Sequence, residues 1–357
     1  MSLSGSVRVL FLYDVAEEIR LEKLRSQPGA QQVRQPPFRH QTPGYVRFTE
    51  PPVVMSIPPL ALATGERLDA RLSYYQYGVV SLELEIPFHL EWDQLVHRAA
   101  RWVASGDLER VAQAAVQDAT SDSRRHFVKP YEEWLSEDYC IVHLLQLPDV
   151  TGADLIAGRG HEIAQIVRGE VAVFAPEEQT EILQAHLSYY PNDLLVVGWT
   201  AAFLYDSPAG AESAIELIKY ANTQLLDFRH YDELLSRILD GVYRKLETRR
   251  GPLVRWRLAR EAEKLNTVLL DIRQLTERTD NSIKFLSDMF DARLYRLAAT
   301  RVGVPDYRRL VDEKLRTAGE LYHSMVDQFQ HARAFLLELT VVIILLIELY
   351  YLFQGKR

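Results

Sequence analysis

Cysteine is almost missing from this chain of 357 residues: Cys140 is the only one. No disulfide framework and no multi-cysteine metal site can form within one chain. Cys140 lies in the apolar run Tyr139-Cys140-Ile141-Val142, where a thiol is expected to be a small buried hydrophobe. Positive charge is also short, with 41 Lys and Arg against 49 Asp and Glu, a net charge of −8 and a pI near 5.7. That balance argues against a broad nucleic-acid footprint, so no direct nucleic-acid partner is expected. The phosphate-loop pattern G-x-x-x-x-G-K-[ST], the serine-hydrolase elbow G-x-S-x-G and the zinc-protease pattern H-E-x-x-H are all absent, which leaves an enzyme without positive support. Gly158-Arg159-Gly160-His161-Glu162 lacks the third glycine of a dinucleotide loop and reads as a turn before a helix over 162–167. His126, His143 and His161 have no ligand-like spacing, and no metal or cofactor is expected. The start of the chain lacks the basic leader, long apolar core and cleavage site of a secretory signal, and Asp14, Glu17 and Glu18 spoil an Arg-rich transit peptide. The large N-terminal part is therefore expected to remain in the cytoplasm.

What is present is ordinary globular composition, 47% hydrophobic and 25% charged, with enough length for about two domains. Strand-like stretches fall at 7–13, 45–48, 71–77, 79–86, 138–147 and 193–205. A helix starting near Glu91 carries Leu95, Ala99, Trp102, Val103 and Leu108 on one apolar face, suited to cover a mixed sheet. Residues 1–206 thus read as an α+β domain. Pro208 and Gly210 punctuate the chain, after which it reads as helix, and 207–333 is expected to form a stalk.

Two seams run through that helical half. Leu258, Ala262, Leu265, Leu269 and Ile272 keep 4,3 spacing, with Thr276 and Thr279 as a polar continuation. After Pro305 a longer seam follows: Val311, Leu315, Ala318, Tyr322, Met325, Phe329, Ala332 and Leu336. The seams can close on each other as a helical hairpin within one chain or join several chains. Gly319 in the second seam marks a close crossing or a bend.

That seam runs into 334–353, AFLLELTVVIILLIELYYLF, a run of about 20 residues that as a helix reaches about 30 Å, the thickness of a bilayer core. It reads as one transmembrane helix, followed by the short basic tail 354–357 with Lys356 and Arg357. Glu338 and Glu348 are the costly residues in it. Both lie away from the midpoint, and ten residues set them about 15 Å apart along the axis and about 80° around it. They can snorkel to the two interfaces, bond between helices or line a cation path.

Leu337-Glu338 with its aliphatic run and Glu348, together with Tyr77-Gly78-Val79-Val80 heading a strand, resembles the "required for meiotic nuclear division" family of C-terminally anchored membrane proteins. That resemblance implies a membrane-anchored, oligomer-forming scaffold; its eukaryotic members are mitochondrial inner-membrane proteins, and without a transit peptide the bacterial inner membrane is the expected place. The leading expectation is a single-pass scaffold whose partners are the lipid bilayer, other copies met through the stalk, and a protein bound by the cytoplasmic domain. The alternative is a subunit of a membrane pore or transporter, with Glu338 or Glu348 facing a lumen.

Overall fold

The computed structural model describes residues 2–26, 30–32, 51–62, 66–103, 106–247, 262–263, 265–267, 269–270, 272–273 and 289–354. The chain divides into two compact units. One comprises residues 1–230 with 278–307, and the other 231–277 with 308–357.

The first unit is α+β, and its centre is the strand β1 (Leu3–Ile19). Alternation places Val7, Val9, Phe11, Tyr13 and Val15 in the main core, while Arg8, Leu10, Leu12 and Asp14 point to the opposite face of the sheet and are buried there too. Burial on both faces explains why the strand is apolar along most of its length. Around it lie β2 (Ala30–Gln32), β3 (Val53–Ala61), β4 (Arg67–Tyr74), β5 (Val79–Leu90), β6 (Phe127–Leu145), β7 (His186–Leu187), β8 (Leu194–Val197) and β9 (Ala201–Asp206). Their order is β2-β3-β4-β5-β1-β6-β9-β8-β7. Only β6 and β9 pair in parallel, with Cys140 opposite Ala201; every other described pair is antiparallel.

The short α1 (Leu21–Leu24) follows β1. On the main core face, α2 (Trp92–Val103) contributes Trp92, Leu95, Val96, Ala99 and Trp102, and α3 (Gly106–Thr120) contributes Leu108, Ala112 and Val116. The expected helix from Glu91 is therefore two helices. α4 (Gly152–Arg168) starts with a capping box: Thr151 Oγ1 accepts from the Asp154 amide at 3.1 Å, and Asp154 Oδ2 accepts from the Thr151 amide at 2.9 Å. The turn expected at 158–161 is only a kink inside this helix, where Arg159 leaves helical geometry at φ −137°. Arg159 bonds Glu162 at 2.7 Å and lies over the Trp92 ring at 5.7 Å, contacts that hold the break within the helix. α5 (Pro176–Gln184) follows.

The strand expected over 193–205 is broken into β8 and β9 by Gly198-Trp199-Thr200, with the Gly198 amide donating to the Ala201 carbonyl at 2.9 Å. The expected strand 71–77 ends at Tyr74, and 45–48 lies outside the described residues. After Asp206 come α6 (Pro208–Glu247), α7 (Met289–Val302) and α8 (Val304–Gln354). Residues of α6 up to His230 and all of α7 belong to the first unit, where Tyr220 packs against Tyr295 at 5.9 Å and Tyr295 bonds Gln224.

The second unit is helical. Its core brings together Val242, Ala262 and Met325, flanked by Leu321, Tyr322 and Val326. Lys314 Nζ ties α8 to α6 through Asp232 Oδ1 at 2.5 Å and Ser236 Oγ at 2.6 Å. A side chain at Gly319 would meet nothing within 4 Å among the described residues, so this glycine marks no close crossing there. Among the described residues no helix is long and apolar enough to cross a membrane. The transmembrane helix expected over 334–353 is thus not established: α8 continues through the run, whose described side chains are Ala334 and 337–351, with Glu338 and Glu348 among them.

Candidate functional site

The Tyr77-Gly78-Val79-Val80 segment forms the β4–β5 turn. Gly78 has φ +91°, and a Cβ there would lie 1.7 Å from the Ala16 carbonyl oxygen, so both conformation and space demand glycine. Its own carbonyl accepts from the Val15 amide at 3.0 Å, where β1 changes register between Asp14 and Ala16. Tyr77 Oη shares a hydrogen bond with Thr223 Oγ1 of α6 at 2.7 Å, and Val79 and Val80 are fully buried. These four residues lock a turn onto the central strand.

The seam residues also have structural partners. Val311, Leu315, Ala318 and Met325 are buried and Tyr322 is half-buried, with Met325 and Tyr322 packed in the core of the helical unit. Phe329 is half-buried, while the side chains of Ala332 and Leu336 lie outside the described set. Of the first seam, Ala262, Leu265, Leu269 and Ile272 are buried too.

Beyond the seam the surface changes character. Along α8 from Leu337 to Tyr351 every described large apolar side chain is exposed, from 44% at Leu339 to 68% at Tyr351. Leu337, Val342, Ile344, Leu346 and Ile347 point in different directions around the helix, so no side of it is covered. A helix apolar all round belongs in a large core or in lipid. Glu338 and Glu348 interrupt it and have no partner among the described residues.

Two polar clusters were not legible as such in the sequence. In the first, Glu83 of β5 is a hub for three cations: Lys219 Nζ at 2.7 Å, Arg8 at 2.8 Å and Arg71 at 3.0 Å. Arg8 also reaches Glu212 at 2.6 Å, and Lys219 reaches Glu216 at 2.7 Å. Burial works against the Glu83 charge, but Lys219, Arg71 and Arg8 outweigh it and hold the carboxyl down at about 2. Burial likewise opposes the Lys219 charge, and Glu216 and Glu83 overcome it and raise the ammonium above its ordinary range. Nearby His143 donates from Nε2 to the Asp206 carbonyl at 3.1 Å; burial, helped by Arg8, lowers it to about 4.

In the second cluster, His230 Nδ1 is 2.8 Å from Asp14 Oδ2, and the imidazole stacks on Tyr131 at 4.6 Å. Burial raises the Asp14 carboxyl while the His230 bond pulls it back. Arg229 and Glu137 pair beside it. Both clusters tie α6 to the sheet through pairs 92 to 216 residues apart in sequence. Among the described residues no group of His, Cys, Asp and Glu could hold a metal ion. A cavity of about 20 Å³ beside Asp193, Asp206, Ser213 and Asp291 has room for one water. Cys140 is buried, and burial, with Asp138 adding, pushes its thiol up to about 12.

The family model described as "Uncharacterized protein MJ0711, N-terminal domain" matches residues 4–212. A curated relative, "Uncharacterized protein MJ0711" from Methanocaldococcus jannaschii, is 19% identical over 187 residues, 52% of this chain and 57% of that protein. The chain therefore matches little more than half the length of this relative. No solved structure matches. These findings correct the resemblance to the "required for meiotic nuclear division" family: the matched family is a different one, and its match includes Tyr77–Val80 and excludes Glu338 and Glu348. The short motifs misled because a turn glycine pressed on a strand, and two carboxyls in an aliphatic helix, can each arise from local geometry alone.

Proposed function

We infer that this chain, which belongs to the family of the MJ0711 N-terminal domain, is a membrane-anchored interaction protein whose α+β unit is presented to a protein partner by the helical unit. The observation that carries the reading is the exposed, all-round apolar end of α8. Fourteen Leu, Ile, Val and Phe residues in 334–353, at about −0.3 to −0.6 kcal/mol each, offset two carboxyls placed away from the centre, where the cost falls below about 3 kcal/mol apiece. Tyr350 and Tyr351, 60% and 68% exposed, suit the membrane-water boundary. The buried polar clusters favour a rigid presenting domain over a catalyst, since Glu83 already has its cations and Asp14 its imidazole partner within the fold.

The test is membrane fractionation with an alkaline carbonate wash, comparing the full chain with the full chain carrying Ile343→Lys and Leu346→Lys. The unaltered protein is expected in the pellet until detergent releases it, and the doubly charged variant in the supernatant. Recovery of both in the supernatant refutes the anchor.

A further inference from the structure

The helical unit leaves one side of α8 turned away from its own core, and the two carboxyls lie on that side. At 100° per residue Glu338 and Glu348 stand about 140° to either side of Met325 around the helix axis, and Met325 is buried against Val242 and Ala262. Glu338 is also five full turns beyond Glu320, which is exposed in the stalk. Between the carboxyls lie Val341 and Leu345, 55% and 57% exposed. The spacing 338, 341, 345, 348 is a single stripe within about 80° of arc.

We propose that the stripe Glu338, Val341, Leu345 and Glu348 is a self-association face through which α8 pairs, in parallel, with α8 of a second copy inside the bilayer. This rests on the membrane reading above. With the core centred on 334–353, both carboxyls lie about 7–8 Å from the midplane and as far from the nearer interface. Polar groups at that depth face protein and pair with one another. A second copy inserted in the same sense brings identical carboxyls to identical depths. Two carboxylic acids face to face satisfy each other, each O–H donating to the opposite carbonyl oxygen. A two-fold axis parallel to the helices then makes both levels pair at once, with Val341 and Leu345 packed between them. The approach is from the side opposite Met325, so the chain's own helical core stays intact.

Oxidative cross-linking of the full chain in native membrane vesicles tests this, with Val341→Cys or Leu345→Cys on the stripe and Ile343→Cys off it. The unaltered chain, whose Cys140 is buried, is the control. Disulfide-linked dimers are expected at 341 and 345 and not at 343. In the Val341→Cys background, Glu338→Leu with Glu348→Leu should cut the dimer about threefold or more, while the paired Gln substitutions, which can still bond across the axis, should preserve it. Equal cross-linking at all three positions, no effect of the leucines, or an adduct with a different protein overturns the pairing. A protein that stays in the carbonate pellet but does not cross-link refutes the pairing alone. Release by carbonate refutes the anchor, and the pairing with it.

Discussion

At the scale of single residues, the Glu83 hub dominates. Replacing Glu83 with Gln leaves Lys219, Arg8 and Arg71 crowded around a neutral group, and should cost about 3–5 kcal/mol in chemical denaturation. Lys219→Met should cost less, because Arg8 and Arg71 still hold the Glu83 carboxylate. The same neighbourhood sets the acid response in two steps. His143 sits at about 4 in the fold against an ordinary value near 6.5, so the unfolded chain takes the proton first. Its contribution, about 3 kcal/mol, is complete above pH 6.5 and is lost as pH falls towards 4. Glu83, held at about 2 against an ordinary 4.5, contributes in full above pH 4.5 and is lost as pH falls to 2. Urea midpoints measured from pH 8 to 2 should therefore drop in two windows, and His143→Phe should flatten the upper one only. A third residue gives a simpler readout: Cys140 should stay unreactive to thiol reagents until the protein unfolds, since its thiol is buried and pushed up to about 12. Charged residues were the least legible part of the sequence. Arg8, Asp14 and Lys219 look like solvent-facing positions until their partners, 75, 216 and 136 residues away, are known.

At the scale of elements, turns and caps carry the sharpest predictions. Gly78→Ala combines φ +91° with a Cβ pressed on the Ala16 carbonyl, and should lose at least about 2 kcal/mol. Thr151→Ala removes half of a capping box and should lose about 1 kcal/mol, a useful contrast because no backbone strain is involved. Periodicity located most elements but misjudged their ends. β1 was legible over 7–13 and runs from Leu3 to Ile19, because Asp14 is buried against His230 and Glu17 is paired with Lys129 at 2.6 Å. β6 was legible from Asp138 and starts at Phe127, where Lys129, Glu132 and Glu133 hide the strand signal. The seam of α8 was legible as a 4,3 rhythm, yet rhythm alone cannot tell a partner helix in the same chain from one in another. In the stalk half of the helix Val311, Ala318 and Met325 are buried within one chain, while Tyr322 and Phe329 are only half-buried.

For the whole molecule, the alternation of strand and helix signals was enough to recognise an α+β unit followed by helices, while strand order was out of reach. Order depends on long-range pairing, and β1 takes as neighbours β5 and β6, not the strand that follows it in the chain. That arrangement has a consequence during synthesis. β1 leaves the ribosome before either of its neighbours in the sheet, β5 and β6. The roughly 70 residues from Ile19 to Leu90 take about 4–14 s to translate, and the rest of β6 takes longer still. For that time an apolar strand has both edges open, a template for other nascent strands. Newly made chains should therefore need chaperone cover until about residue 145, and fragments ending before β6 should aggregate where those ending after it do not.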